Sequence, residues 1–314
     1  MEEDEIKKIE EKRREKIKTK YRKKIRQKFQ RKKKIILTIV ALLFLLGLLG
    51  RSYFLTQKSG ELLVSFIDCG QADCIFIRAT QGQQIIIDFG DNKGLRDLDK
   101  RINWWNKNID LVIITHPHDD HIAGLSNLIK KYKVKNIMYT GIIDQAPMYT
   151  ELLELIAQKK IPLLIPQKNQ HISLGNNCQL NILYPFDSLN NKEIANLNNS
   201  SIVSRLDCLN STFLFTGDIE SEVENEILEK DINIKSDVLK IAHHGSITSS
   251  QEEFLEKVAP QIAIIMVGEN NKFNHPSLRV LKRLERLKTK IFRNDLDGTI
   301  DILNQGQGLK IKTY

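Results

Sequence analysis

The heptapeptide THPHDDH, Thr115 to His121, follows the mainly apolar run Ile109 to Ile114 without a break and places three histidines and two aspartates in seven residues. No other stretch limits the fold so strongly, because ionisable groups at the end of a buried strand are costly unless each finds a partner. Neutral imidazole and carboxylate are the ligands of zinc and similar divalent ions, so a metal is the natural partner. His116 and His118 lie two apart on an extended segment and project the same way, as a pincer. Asp120 and His121 follow where the chain turns into a helix, and face a second ion from the adjacent side.

One segment cannot close two metal sites, so further ligands are expected at the ends of other strands. LFTGDIE offers Asp218 just after an apolar strand, with Gly217 permitting a sharp turn, and Asp218 is the expected bridging ligand. KIAHHGS offers His243 and His244, again at a strand end and before a glycine. The β-branched runs LLVSFID, CIFIRAT and QQIIIDFG read as a sheet with tight turns, and Ile122, Leu125, Ile129 and Tyr132 then recur at helical spacing. Strand gives way to helix again at STFLFTGD–SEVENEILEKD and at DVLKIAHHG–SSQEEFLEKV, where Ser249 and Glu252 are spaced as a capping box. IAIIMVG, the helix LRVLKRLERLK, TKIF and a final hairpin complete the count, while SLNNKEIANLNNSS reads as a surface loop. Strand runs mixed with strand–helix units predict a layered α/β architecture, two sheets with helices outside.

The order H-x-H-x-D-H, then G-D, then a strand-terminal histidine resembles the metallo-β-lactamase superfamily, and within it the exported hydrolase domain of the ComEC family of competence proteins. The resemblance is carried by FIDCGQADCIFI, IIIDFGD, THPHDDHIAG, NNSSIV, FLFTGD, LKIAHHGS, NNKFNHP and NDLDGTI, over about residues 61 to 303. It implies a four-layer αβ/βα sandwich with a di-metal site where the sheets meet, holding two divalent ions, zinc first and manganese second. His116 and His118 would hold one ion, Asp120 and His121 the other, with Asp218 between them and His243 completing the second site. His244 is the alternative for that place, or a donor facing substrate. Asp88 stands where the superfamily has a carboxylate that orients ligand imidazoles, a strand-end turn being the competing reading. The superfamily often has another histidine ligand before G-D, but His171 sits in a polar loop, and Asn199 and Ser201 occupy that region instead, so that water or Asn199 would fill the gap. Ala72 of Gly-Gln-Ala-Asp replaces a glycine and adds a methyl to that loop.

The resemblance further implies hydrolysis of a phosphodiester, with DNA as the substrate. Paired ions would acidify a shared water. Asp120 would orient it, and His244 or His275 would donate to the leaving oxygen or clamp phosphate. His275 also reads as an ordinary residue leading into a helix. On that helix Arg279, Lys282, Arg283, Arg286 and Lys290 suit either a nucleic-acid backbone or a solvated surface. Two other readings stay open: an extracellular hydrolase of a phosphocholine ester, lactone or β-lactam, and a DNA-capture protein with a structural metal.

Charge divides the chain. Residues 1–34 hold seventeen Lys and Arg against seven Asp and Glu, a net +10, so the rest sums to −1 of the total +9. This arm reads as a solvated charged helix or a disordered segment beside anionic headgroups, with nucleic-acid binding as the alternative. It leads into IILTIVALLFLLGLLG, sixteen residues without a charge. Residues 35–55 would span roughly 30 Å as a helix, enough for a transmembrane signal anchor, and the basic flank predicts a cytoplasmic N-terminus with residues 56–314 outside. The ComEC family carries a multi-helix channel where this chain shows a single anchor, which implies a separate DNA-uptake channel protein as partner. Cys69, Cys74, Cys178 and Cys208 read by default as buried small hydrophobes, their pairing being unreadable from spacing.

Overall fold

The computed structural model describes residues 2–58, 60–103, 106–167, 169–175 and 177–314. The chain divides into two compact units, residues 1–58 and 59–314. The first is one helix, Glu2–Lys58, which passes without interruption through the change from basic to apolar composition at residue 35. Leu43 and Phe44 on it are exposed, and it is long and apolar enough to cross a membrane. Thr56, Gln57 and Lys58, beyond the expected anchor at 35–55, also belong to this helix; Ser59 lies outside the described residues.

Among the described residues of the second unit, two large sheets face each other. One holds eight strands in the order Leu309–Thr313, Ile300–Asn304, Leu62–Phe66, Cys74–Arg78, Gln84–Phe89, Leu111–Ile113, Ile137–Met138, Leu163–Leu164. The other holds seven, in the order Lys290–Arg293, Ile262–Ile265, Val238–Lys240, Ser211–Phe215, Val203–Cys208, Cys178–Tyr184, His171–Ser173. Successive side chains of a strand point to opposite faces, and the apolar residues divide accordingly. Phe66, Ile75, Ile87, Phe213 and Ile264 fill the space between the sheets. Leu63, Phe76 and Ile86 pack with Leu125, Leu128 and Leu152 from helices on one outer face, and Leu214, Leu239 and Ala263 with Val223, Phe254 and Leu284 on the other. These are the four layers of an αβ/βα sandwich.

The strands Gln84–Phe89 and Leu111–Ile113 are parallel neighbours in one sheet, as are Ser211–Phe215 and Val238–Lys240 in the other. Parallel neighbours end on the same side, so Asp88 and the loops carrying THPHDDH, Asp218 and the paired histidines lie at carboxyl ends of strands, where open α/β sheets commonly bind ligands.

Several local expectations are corrected. The helix Glu252–Val258 is not capped by Ser249, whose hydroxyl donates to Ile219 O instead at 2.8 Å. His171 begins an edge strand rather than lying in a loop, and its Nδ1 meets Asn181 Oδ1 at 2.5 Å. The polar stretch SLNNKEIANLNNSS is not all surface, because Asn198 and Ser200 are buried in a short 3-10 turn, Leu197–Ser200. All four cysteines are buried, and they form two disulfides, Cys69–Cys74 and Cys178–Cys208. The second joins residues directly opposite on adjacent antiparallel strands, a proximity that spacing along the chain does not encode.

Candidate metal centre

One ligand atom from each of Asp120, His121, Asp218 and His244 lies within 4.8 Å of the others. Asp218 Oδ2 is 3.3 Å from His121 Nε2 and 3.4 Å from His244 Nε2, and Asp120 Oδ2 is 3.3 Å from His244 Nε2. His116 and His118 lie beside this group, with His116 Nε2 and His118 Nδ1 facing each other at 3.0 Å and the rings of His116 and His121 centred 4.1 Å apart.

What aims each ring is its other nitrogen. His121 Nδ1 donates to Asp88 Oδ2 at 2.8 Å, and His244 Nδ1 donates to the carbonyl of Met266 at 2.7 Å, so both present Nε2 to the same point. His116 Nδ1 meets Thr115 Oγ1 at 3.1 Å and Ser201 Oγ at 3.2 Å. Asp88 is fixed in turn by the Thr115 backbone N–H at 2.8 Å and hydroxyl at 2.6 Å. It has a left-handed backbone, φ 54°, at the end of its strand, which turns the carboxylate toward THPHDDH. Ser201 does double duty, since its hydroxyl also accepts from the backbone N–H of Asp218 at 3.0 Å.

Two glycines make the close approach feasible. A Cβ on Gly90 would fall 1.7 Å from the carbonyl oxygen of Asp120, and one on Gly217, at φ 53°, would fall 2.8 Å from Ser201 Cβ. The Ala72 methyl packs beside Gly90 in this buried layer, so it fills space under the loop rather than entering the site.

The adjacent histidines part company. His243 (φ 49°, ψ 48°) and His244 (φ 52°, ψ 22°) are both left-handed, a strain of about 1–3 kcal/mol each that a packed surrounding must sustain. This tight turn sends His244 inward to the carboxylates. His243 goes the other way, its Nδ1 3.3 Å from Glu220 Oε1. The expectation that His243 completes the second site therefore gives way geometrically to the alternative, His244. Asn199 does not fill the gap beside the first ion's ligands either: its Oδ1 accepts from Glu220 N–H at 2.9 Å and its Nδ2 donates to Glu222 at 3.3 Å. His275 stands at the rim, its ring centred 5.7 Å from that of His243.

Two residues of the site escaped the sequence reading, Asp73 and Lys240. Lys240 is fully buried on the inner face of its strand, two positions after core residue Val238. It pairs with Asp73, donates to Asp218 Oδ1 at 3.2 Å and to the Gly217 carbonyl at 2.9 Å. The available signal was a lysine inside the otherwise apolar run VLKIA, which demands a buried acid.

The donor set suits divalent ions. Burial works against charge on His121, yet Asp218 and Asp88 outweigh it and hold its pKa well above the ordinary value; His244 is raised against burial by Asp218 and Asp120. Asp218 is held well below the usual carboxylate range in spite of burial, first by Lys240 and then by His121 and His244. A field that stabilises protons on two buried imidazoles also stabilises a metal cation in their place. The buried His121 Nε2 faces Asp218 at 3.3 Å without the alignment of a hydrogen bond, a place that a cation could take. His116, by contrast, is pushed well down by burial and by its neighbour His121, so it is a neutral imidazole as ligation requires. His244→Ala is expected to weaken metal binding by about 100-fold or more, and His243→Ala to leave it nearly unchanged, in chelator-competition titrations; the reverse order would return the ligand role to His243.

Residues 67–269 match the sequence profile of the metallo-β-lactamase superfamily, and the chain belongs to it. The fold is the superfamily's, and the donor set it gathers suits divalent ions. The chain is 30% identical to ComE operon protein 3 of Bacillus subtilis (strain 168), over 84% of this chain and 34% of that protein. It is 35% identical to Competence protein ComA of Neisseria gonorrhoeae, over 76% of this chain and 32% of that one. The chain thus spans about a third of the length of these relatives. Among solved structures, the metallo-β-lactamase fold protein YhfI from Bacillus subtilis superposes with a TM-score of 0.47 at 11% identity, covering 74% of this chain and 95% of that one.

Proposed function

We propose that this protein is a membrane-anchored phosphodiesterase that cleaves nucleic acid outside the cytoplasmic membrane, in the service of DNA uptake. The reading is carried by the convergence of Asp120, His121, Asp218 and His244 on one point. The step from hydrolase to DNA rests on the two relatives, both named for competence. The basic arm ahead of the apolar helix supports a cytoplasmic N-terminus.

His116 and His118 would hold one divalent ion and Asp120, His121 and His244 the other, with Asp218 shared; zinc and manganese both suit these ligands. Bound ions would supply water acidified toward neutral pH and would neutralise phosphoryl charge. The protein's own groups do the rest. Asp120, the one member of the cluster not buried, is placed to orient the attacking water and take its proton. Lys240 keeps Asp218 ionised, and Asp88 and the Met266 carbonyl keep the protons of His121 and His244 on Nδ1. Burial, with His244 and His243 nearby, lowers the pKa of His275 to about 4, so at neutral pH this rim imidazole is uncharged and contacts substrate through hydrogen bonds rather than charge.

The test uses the full chain in mild detergent. With Zn²⁺ or Mn²⁺ it is expected to cleave DNA, and a chelator should abolish the activity reversibly. Full metal loading without turnover of DNA, RNA or a simple phosphodiester would defeat the proposal, and a panel of phosphocholine esters, lactones and β-lactams would identify the alternative substrate.

A further inference from the structure

A row of aromatic rings leads out of the metal cluster. The centroids of His121 and His244 are 5.8 Å apart, those of His244 and His243 6.3 Å, those of His243 and His275 5.7 Å, and those of His275 and Phe273 5.7 Å. The last pair is stacked, with planes inclined by 26°. The row ends in water: Phe273 is 53% exposed, whereas Phe66, Phe76, Phe89, Phe213, Phe215 and Phe254 are fully buried.

A single exposed phenylalanine is ordinary on a protein surface. Three observations set this one apart. It closes a continuous row from the candidate ligands. It carries a cation, Lys272 Nζ, 5.2 Å from its centroid. And its loop is pinned: Asn271 Nδ2 donates to the carbonyls of Gly268 and His275 at 3.1 and 2.8 Å, while His275 N–H donates to Asn271 Oδ1 at 3.0 Å. Pro276 packs against Gly245, where a Cβ would come within 2.6 Å of it. The ring is therefore held out by a fixed support. The other end of the same loop, Gly268 and Glu269, lines with Asp68, Gly70, Gln71 and Lys93 a cavity of about 540 Å³, within the usual size range of ligand sites.

Aromatic rings beside a cationic, backbone-tracking surface bind unpaired nucleobases, because every base has a π-face and in a duplex those faces are covered by neighbours. We propose that Phe273 is a nucleobase-stacking position, so that the site takes its phosphodiester from single-stranded nucleic acid, with a base near the scissile bond laid on the Phe273 ring and Lys272 beside the backbone. The proposal rests on the phosphodiesterase reading above and deepens it to a substrate class. Duplex DNA would have to expose a base before it could be held in this way.

The experiment compares a single-stranded oligonucleotide with an abasic oligonucleotide of the same length, using the full chain in detergent with Mn²⁺. The ratio of kcat/KM between them is expected to be about tenfold, the size of one base–aromatic stack, to fall to near unity in Phe273→Ala through KM, and to recover in Phe273→Trp. The basic arm is common to all three proteins and blind to the presence of bases. A second readout needs no turnover: the fluorescence of a 2-aminopurine base in the strand should be quenched on binding to the parent in chelator, and not by Phe273→Ala. A ratio or quench that survives Phe273→Ala overturns the proposal. If the parent cleaves neither strand, the phosphodiesterase reading fails on its own, and the quench still decides whether bases stack on Phe273.

Discussion

Asp218→Asn is expected to reduce metal-dependent hydrolysis to background while the protein stays folded. The side chain is 2% exposed and is the shared neighbour of His121, His244 and Lys240. Asparagine keeps its volume but removes the buried charge that does most to favour cations on both histidines. Loss of a partner outside the ligand shell typically weakens metal binding 10- to 100-fold, and a bridging carboxylate should be worth more. Elemental analysis after dialysis, with near-UV circular dichroism to verify the fold, checks this. A variant that retained the parent's metal stoichiometry and rate would show that the carboxylate is not a ligand.

Lys240→Met should act on the opposite quantity, stability. Methionine preserves most of the apolar stem, but Asp73 and Asp218 would then be buried without the lysine's charge between them. Breaking a buried ion pair by removing one partner costs about 3–5 kcal/mol, a large part of a domain's stability. Urea unfolding of the full chain in detergent and chelator, followed by near-UV circular dichroism, reads the change. Asp73→Asn combined with Lys240→Met should recover part of the loss, since it removes one of the stranded charges. Lys240→Met unfolding at the parent's urea midpoint would mean that water or a bound ion already balances the acids.

Much of the site was legible because strand ends announce themselves. An apolar run that stops at THPHDDH, at TGD or at AHHG puts ionisable groups where a sheet delivers them to a common edge, and Asp120, His121 and Asp218 meet there. Asp88 was visible too, with a strand-end turn as the competing reading, and its carboxylate meets His121 Nδ1 at 2.8 Å. The basic helix near the C-terminus shows the opposite case. Arg283 reads as a solvated or nucleic-acid-facing charge, but it is buried, bonding the carbonyl of Ser250 at 2.9 Å and Gln251 Oε1 at 3.1 Å, while Leu278 is exposed. Helical spacing gave the period there, and Leu281, Leu284 and Leu287 do pack inward, but it does not tell that Leu278 and Arg283 change places at the edge of that stripe.

The amino-acid order by itself determined the layered fold, the long apolar helix behind a basic arm, and the kinds of atoms at each strand end, because period, charge and donor chemistry are properties of short segments. Only the tertiary structure decided which of two neighbouring histidines turns inward, that Lys240 bridges Asp73 and Asp218, which cysteines pair, and that Phe273 ends a row of rings at the surface. Each of these depends on the approach of residues remote in the chain, or on a left-handed backbone that packing sustains and local sequence does not favour.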